Sequence, residues 1–411
     1  MALAVKEDQA AVPGSATGRQ PWQAGRAMDF TPDDDHEAIA GAVRRVCAGF
    51  DDDYWARCDA EHAFPWDFYR LMAEGGWLGV AIPEEYGGGG RGITEAAIVL
   101  REVARSGAAM NGCSALHLTI FGLNPVVRFG SERLKQAYLP RAAAGDLHVA
   151  FGVTEPDAGT DTARITTRAE PDGRGGYVVH GRKIWTSKAL ESEVVLLLAR
   201  TGGEGLAGLS LFLADLDPAH VDIRPIPKMG RNAVASCEVA YDGLPVPGWR
   251  LVGEEGQGWR HLLHGLNPER ILLASEAVGI GEVALDRAVA YAREREVFGR
   301  PIGANQAIAH PLAQAHVQLA AAWHVAQHAA WRYDHGLDCG EAAQSAKYLA
   351  AEAAFFAADR AVQTLGGMGY AAEYHVERYF REARLQRIAP VSQEMTLNYV
   401  AHNVLNLPRS Y

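Results

Sequence analysis

Apolar positions along this chain change their period twice. Across 29–147 they recur three and four residues apart, as in AIAGAVRRVCAGF and WDFYRLMAEGGWLGVAI, and this spacing predicts amphipathic helices. The run Gly87 to Gly90 breaks the pattern and predicts a turn between two of them. Across 148–255 the apolar runs shorten to YVVHGRKIWTS, VVLLLAR, LSLFLADL and CEVAYDGLPVP, bounded by Gly, Asp and Pro, which predicts strands. Across 256–411 long stretches rich in Ala and Leu return, and a helical bundle is expected. Residues 1–28 are polar, lack an apolar core, and predict a flexible N-terminal tail rather than a secretory signal. The fold class is therefore α+β.

Composition narrows the functional classes. A chain of 411 residues is long enough for two or three packed domains and for burying a large cofactor. Its net charge of -11 argues against a nucleic-acid partner. No stretch approaches the roughly 18 uninterrupted apolar residues of a membrane span, so no membrane partner is expected. The five cysteines are scattered and form no CxxC pair, which suits free thiols in a reducing, cytoplasmic setting and predicts no metal site.

Neither glycine cluster identifies a nucleotide site by itself. YGGGGRG lacks the Lys-Ser/Thr of a Walker loop, and GGMGY at 366–370 is no dinucleotide fingerprint. The order of four separated segments says more: FGVTEPDAGTD from Phe151, GRKIWTS from Gly181, EREVFGRPIGANQ from Glu294, and QTLGGMGY from Gln363. Together they resemble the acyl-CoA dehydrogenase family over the chain from about Phe30 onward. The resemblance implies an N-terminal helical domain (29–147), a central β-barrel domain (148–255) and a C-terminal four-helix bundle (256–411).

It also implies FAD. A flavin ring is flat and apolar with a polar edge, so it needs packing on its face and donors at its edge. By resemblance, Val153 and Thr154 contact the pyrimidine edge, Trp185 lies beside the ring, and Ser187 sits near N5. Thr160 is matched to the pyrophosphate, and Ser392 and Gly367 to further cofactor contacts. Each has a bland reading, in which the hydroxyls satisfy turns and Trp185 fills a core. Arg295, Phe298, Gln306 and Gln363 match residues that hold the adenosine end of a neighbouring subunit's FAD. A homotetramer built as a dimer of dimers follows from the resemblance, as do an acyl-CoA or acyl-carrier-protein thioester as substrate and electron-transfer flavoprotein as partner.

The base is the difficulty. Removing hydrogen from the α and β carbons of a thioester needs a carboxylate to take the α proton. Ungapped alignment after QTLGGMGY puts Ala389 and Pro390 on the family's Tyr-Glu positions, and proline can neither take a proton nor donate a backbone N–H. Isovaleryl-CoA and long-chain acyl-CoA dehydrogenases carry the glutamate on an earlier helix, before an arginine. NPERILLA matches that place, so Glu269 is the expected base, with Asn267 and Arg270 as substrate-binding residues. The competing reading makes Glu269 an ordinary glutamate at a helix start opened by Asn267 and Pro268. Glu394 is a weaker alternative base, and Val391 an alternative donor to the thioester carbonyl. A monooxygenase or oxidase on the same fold, or a flavin-binding subunit without turnover, are the other classes left open.

Overall fold

The computed structural model describes residues 33–409, so the tail expected at 1–28 lies outside the described residues. Its helices begin where the sequence supplies caps. Helix α1 (Asp34–Cys47) starts on Asp33, whose carboxylate accepts from Asp35 N–H, and it runs from acidic Asp34, Asp35 and Glu37 to basic Arg44 and Arg45. Helix α2 (Asp52–Glu61) is capped by Asp51, and α3 (Trp66–Glu74) follows a proline. Helices α4 (Ile93–Val103) and α5 (Ala109–Ile120) are joined by one wide turn at Ala104–Ala108, where Gly107 adopts φ 100°. Helix α6 (Asn124–Phe129) is short, and α7 (Glu132–Ala144) runs from a Ser131 cap to left-handed Gly145.

The central segment forms β1 (Val149–Gly152), β2 (Arg168–Pro171), β3 (Gly176–Ser187), β4 (Val194–Arg200), β5 (Leu209–Asp215), β6 (Val221–Pro225) and β7 (Ser236–Pro247). They make one curled sheet of seven strands in the order β1-β4-β2-β3-β7-β6, with β5 on the other edge of β4. One face packs on α7 through Leu134 and Leu139, and Phe212, Val239 and Tyr241 belong to a second core on the sheet. The bundle follows: α8 (Gly258–Glu294), a small hairpin of β8 (Glu296–Val297) and β9 (Arg300–Pro301), α9 (Gln306–Asp334), α10 (Gly340–Leu365), α11 (Val376–Gln386) and α12 (Gln393–Tyr399).

The two helical regions share one interior. Val43, Trp55, Phe68, Leu100 and Leu116 from the first pack with Ile271, Ala277, Ala354 and Tyr379 from the second. At its centre is α8, and glycines let its neighbours come close. A Cβ on Gly279 would lie 2.5 Å from Arg101 O in α4, and one on Gly281 would lie 2.4 Å from Leu319 Cδ2 and 3.0 Å from Ala354 Cα. One sequence expectation fails here. Asn267 and Pro268 do not open a helix, because α8 begins at Gly258 and continues through Pro268. Glu269 is therefore well inside the helix, beyond the first turn where the dipole favours a carboxylate.

Gly281→Val is expected to force α8 away from α9 and α10 and to lower stability by about 1–3 kcal/mol, the usual scale of overpacking. Urea unfolding followed by circular dichroism reads this, and an unchanged midpoint would contradict the close packing.

Candidate active site

The loop after β1 is fastened to β3 by a buried charge. Lys183, wholly buried on β3, donates from Nζ to Val153 O (2.9 Å) and to Glu155 Oε1 (2.9 Å). Glu155 also accepts from the backbone N–H groups of Thr166 (2.8 Å) and Thr167 (2.9 Å). Burial alone would raise its pKa, but the Lys183 ammonium and these donors outweigh that and hold it at about 2. Ile184 N–H then donates to Thr154 O at 2.9 Å, so Val153 and Thr154 lie against the end of β3.

There the ladder slips. Lys183 pairs with Val239 and Thr186 with Cys237, so two residues of β3 oppose one of β7. Trp185, inside this bulge at φ 61°, is 54 % exposed. An indole thrown outward beside Thr154 and Ser187 does not fill a core, and the bland reading of Trp185 is set aside by this geometry.

Behind Ser187 stands a partly buried arginine that the sequence reading passed over. Arg231 Nη2 donates to Ser187 Oγ (2.8 Å) and Ser236 Oγ (2.5 Å), and Nη1 reaches Ser114 Oγ on α5 at 3.4 Å. A guanidinium has donors only, so Ser187 Oγ accepts from it and keeps its own hydrogen for another partner. Three residues on from Ser114, and so on the same face of α5, His117 meets α8. Its Nε2 lies 2.8 Å from Glu269 Oε2 and its Nδ1 2.7 Å from Glu276 Oε1. Burial disfavours the charged ring, but the Glu269 and Glu276 carboxylates outweigh it and raise the His117 pKa well above the usual value. This arrangement favours the imidazolium, the form in which the ring donates at both nitrogens. Lys188, directly after β3, is buried over the Tyr69 ring and donates to Ala115 O (2.8 Å) and Thr119 Oγ1 (3.0 Å); burial pushes its pKa down to about 7.

The structure thus brings Val153, Thr154, Trp185 and Ser187 together and links Ser187 through Arg231 and Ser114 to the helix that holds Glu269. Asn267 Oδ1 accepts from Arg270 Nη1 (3.0 Å) within the same helical turn as Glu269. Ser392 caps α12, accepting from Met395 N–H at 3.3 Å. Glu394 is exposed in the first turn of that helix, where a backbone N–H and Ser392 hold its pKa below the usual range, as a helix-start carboxylate requires. Pro390 is exposed and offers no donor, while Val391 N–H has no backbone acceptor among the described residues. Thr160, Arg295, Gln306, Gln363 and Gly367 are exposed, and Phe298 is fully so at 101 %. Among the described residues no hydrogen bond or ion pair joins these to the Val153–Ser187 group. A cavity of about 690 Å³ lies elsewhere, between α8 and α9 beside Val289 and Leu312, and does not include Glu269.

Comparison with known proteins decides the family. The acyl-CoA dehydrogenase N-terminal domain matches residues 33–146, the middle domain 150–244 and the C-terminal domain 256–405. The chain belongs to the acyl-CoA dehydrogenase family. It is 40% identical over 389 residues to acyl-CoA dehydrogenase FadE12 of Mycobacterium tuberculosis, covering 93% of this chain and 99% of the relative. A glutaryl-coenzyme A dehydrogenase in complex with glutaryl-CoA superposes with a TM-score of 0.87 at 32% identity, over 93% of this chain and 98% of that one. Butyryl-CoA dehydrogenase of Megasphaera elsdenii superposes with a TM-score of 0.88 at 28% identity, over 92% and 100%.

The activity class is that of an acyl-CoA dehydrogenase, a flavin-dependent oxidoreductase, and its cofactor is FAD. The residues present fit it: an outward indole for a ring face, and beside it a Ser187 hydroxyl whose hydrogen is left over by Arg231. His117, Glu276 and Arg231 escaped the sequence reading, although a signal existed. Glu276 interrupts the apolar run ILLASEAVGIG and His117 the run SALHLTIF, and an ionisable group in a buried stripe needs a partner.

Glu155→Gln would leave Lys183 buried without its carboxylate, at a cost of about 3–5 kcal/mol. In the wild type the Glu155 contribution is complete above its unfolded pKa of 4.5 and is lost as pH falls toward about 2. Urea unfolding at a series of pH values should show the variant deficit shrinking over that acid window; a deficit constant with pH would refute the pairing.

Proposed function

We propose that this enzyme removes hydrogen from the α and β carbons of an acyl-CoA thioester, with Glu269 as the base. The observation that carries this reading is the convergence on α5: Ser114 connects through Arg231 to Ser187, and one turn away His117 holds Glu269. A carboxylate and the group of residues suited to a flavin thereby face the same helix. Glu269 retains partial exposure, its side chain 23% accessible, whereas Glu276 is wholly buried, so of the two only Glu269 is open to a substrate.

In this reading Glu269 takes the α proton from the C–H bond, whose electron pair becomes part of the new α,β double bond. FAD, when bound, supplies the acceptor for the hydride that leaves the β carbon. Val153, Thr154, Trp185 and Ser187 hold the isoalloxazine, Ser187 with its free hydroxyl hydrogen. Thr160 serves the pyrophosphate, and Ser392 and Gly367 add contacts from the C-terminal region. Asn267 and Arg270 line the approach of the thioester. Pro390 cannot polarise the carbonyl, and the uncommitted Val391 N–H is the donor assigned in its place. The energetic weight of one such donor is on the order of 3 kcal/mol.

Arg295, Phe298, Gln306 and Gln363 are assigned to the adenosine end of a neighbouring subunit's FAD within a homotetramer. A wholly exposed Phe298 supports burial of this surface by another copy. Electron-transfer flavoprotein is the assigned oxidant of the reduced enzyme, the substrate carrier is CoA rather than an acyl-carrier protein, and the setting is the cytoplasm.

Glu269→Gln, loaded with FAD, is expected to lose about 10²- to 10⁴-fold in the rate at which acyl-CoA bleaches the flavin, the span of a general base. Glu394→Gln should leave that rate unchanged. Stopped-flow absorbance distinguishes the two, and undiminished bleaching in Glu269→Gln would overturn the base assignment.

A further inference from the structure

The assignment of Glu269 leaves a buried cluster unaccounted for. Glu269 and Glu276 stand seven residues apart on α8, and His117 spans them with two short bonds of 2.8 and 2.7 Å. Glu276 is wholly buried, and among the described residues its Oε2 has no hydrogen-bond partner. An orphaned buried carboxylate oxygen costs about 1–3 kcal/mol or more, so stability alone does not explain an ionisable group there. An imidazolium bonded only to Glu269 would commit its whole charge to that carboxylate. A second carboxylate on the far nitrogen offsets the charge.

We propose that His117 is a positioning residue for the proton acceptor: it fixes Glu269 through Oε2, leaving Oε1 to take the α proton, while Glu276 holds the ring from its other nitrogen and shares its charge. The inference rests on Glu269 being the base.

Other charges bear on the ring from the elements around α5. Lys188 lies after β3 and Arg231 before β7, each bonded to α5. Glu382 on α11 accepts from Met110 N–H and Asn111, and Asp59 on α2 accepts from Asn111. Cys113 lies on α5 itself, and Tyr69 on α3 bonds Thr119. Of these the carboxylates, Glu382 and Asp59, engage the first turn of α5, one to two turns from His117, and the cations engage Ser114, Ala115 and Thr119. Among the described residues, only Glu269 and Glu276 hydrogen-bond the imidazole.

The test is the pH dependence of flavin bleaching by an acyl-CoA, measured by stopped flow on FAD-loaded wild type, Glu276→Gln and the double variant His117→Gln/Glu276→Gln. Removing Glu276 leaves the imidazolium's charge to Glu269 alone, so the acid limb should move to lower pH by about 1 unit. Removing the imidazolium as well should move it back up, above wild type. Both replacements are close in size to the residues they replace, and the double variant leaves no buried charge at either position. A readout without turnover is ¹⁵N NMR of histidine-labelled holoenzyme. At mildly alkaline pH the His117 ring of wild type should carry protons on both nitrogens, and in Glu276→Gln it should lose one. Acid limbs that coincide in all three proteins, or a neutral ring in wild type, would overturn the proposal. If Glu269→Gln still bleaches, the base assignment itself fails; if it is inert while the limbs coincide, only the role of His117 does.

Discussion

The site depends on one constraint, the burial of α8 between the first helical region and the rest of the bundle. Gly279 admits α4 and Gly281 admits α9 and α10, so the helix cannot rotate without steric conflict on both sides. Its orientation fixes which face meets α5. Glu269 and Glu276, almost two full turns apart, then fall on that face, and His117 closes the gap between them. Packing that is apolar and glycine-mediated along most of α8 thus decides where two carboxylates stand.

Around this frame the interior carries more charge than an apolar core tolerates unpaired. Lys183 is matched by Glu155, Asp59 by Arg381, and His117 by two glutamates. Glu382 shows the other response: burial raises its pKa to about 7, against the pull of Arg378 and the Met110 N–H. Lys188 is pushed in the opposite direction by the same cause. These groups border α5 and the end of β3, and α5 carries both Ser114, linked through Arg231 to Ser187, and His117, bonded to Glu269. The concentration of perturbed ionisable groups here, and the cofactor-compatible Trp185 in its bulge, mark the same region by independent means.

The three-part order of helices, strands and helices was legible because each segment's apolar period is long and regular. Caps such as Asp33, Asp51 and Ser131 could be read as residues but not as helix starts until the chain was folded. Pro268 misled: proline favours a first helical turn, yet tertiary packing carries α8 through it, and local propensity was overridden. Trp185 was matched by motif, whereas its outward direction comes from a bulge between β3 and β7 that no strand periodicity encodes.

Sequence by itself determined the α+β class, the family resemblance, and Glu269 as the carboxylate to consider once Pro390 occupied the other position. It did so because those signals are local: period, motif and spacing lie within short windows. Only the tertiary structure decided that Glu269 shares a histidine with Glu276, that Arg231 stands behind Ser187, and that Phe298 is left uncovered. Those facts join residues some 40 to 160 positions apart, or concern a surface, and their partners are chosen by how α5, α8 and the sheet pack together rather than by neighbours along the chain.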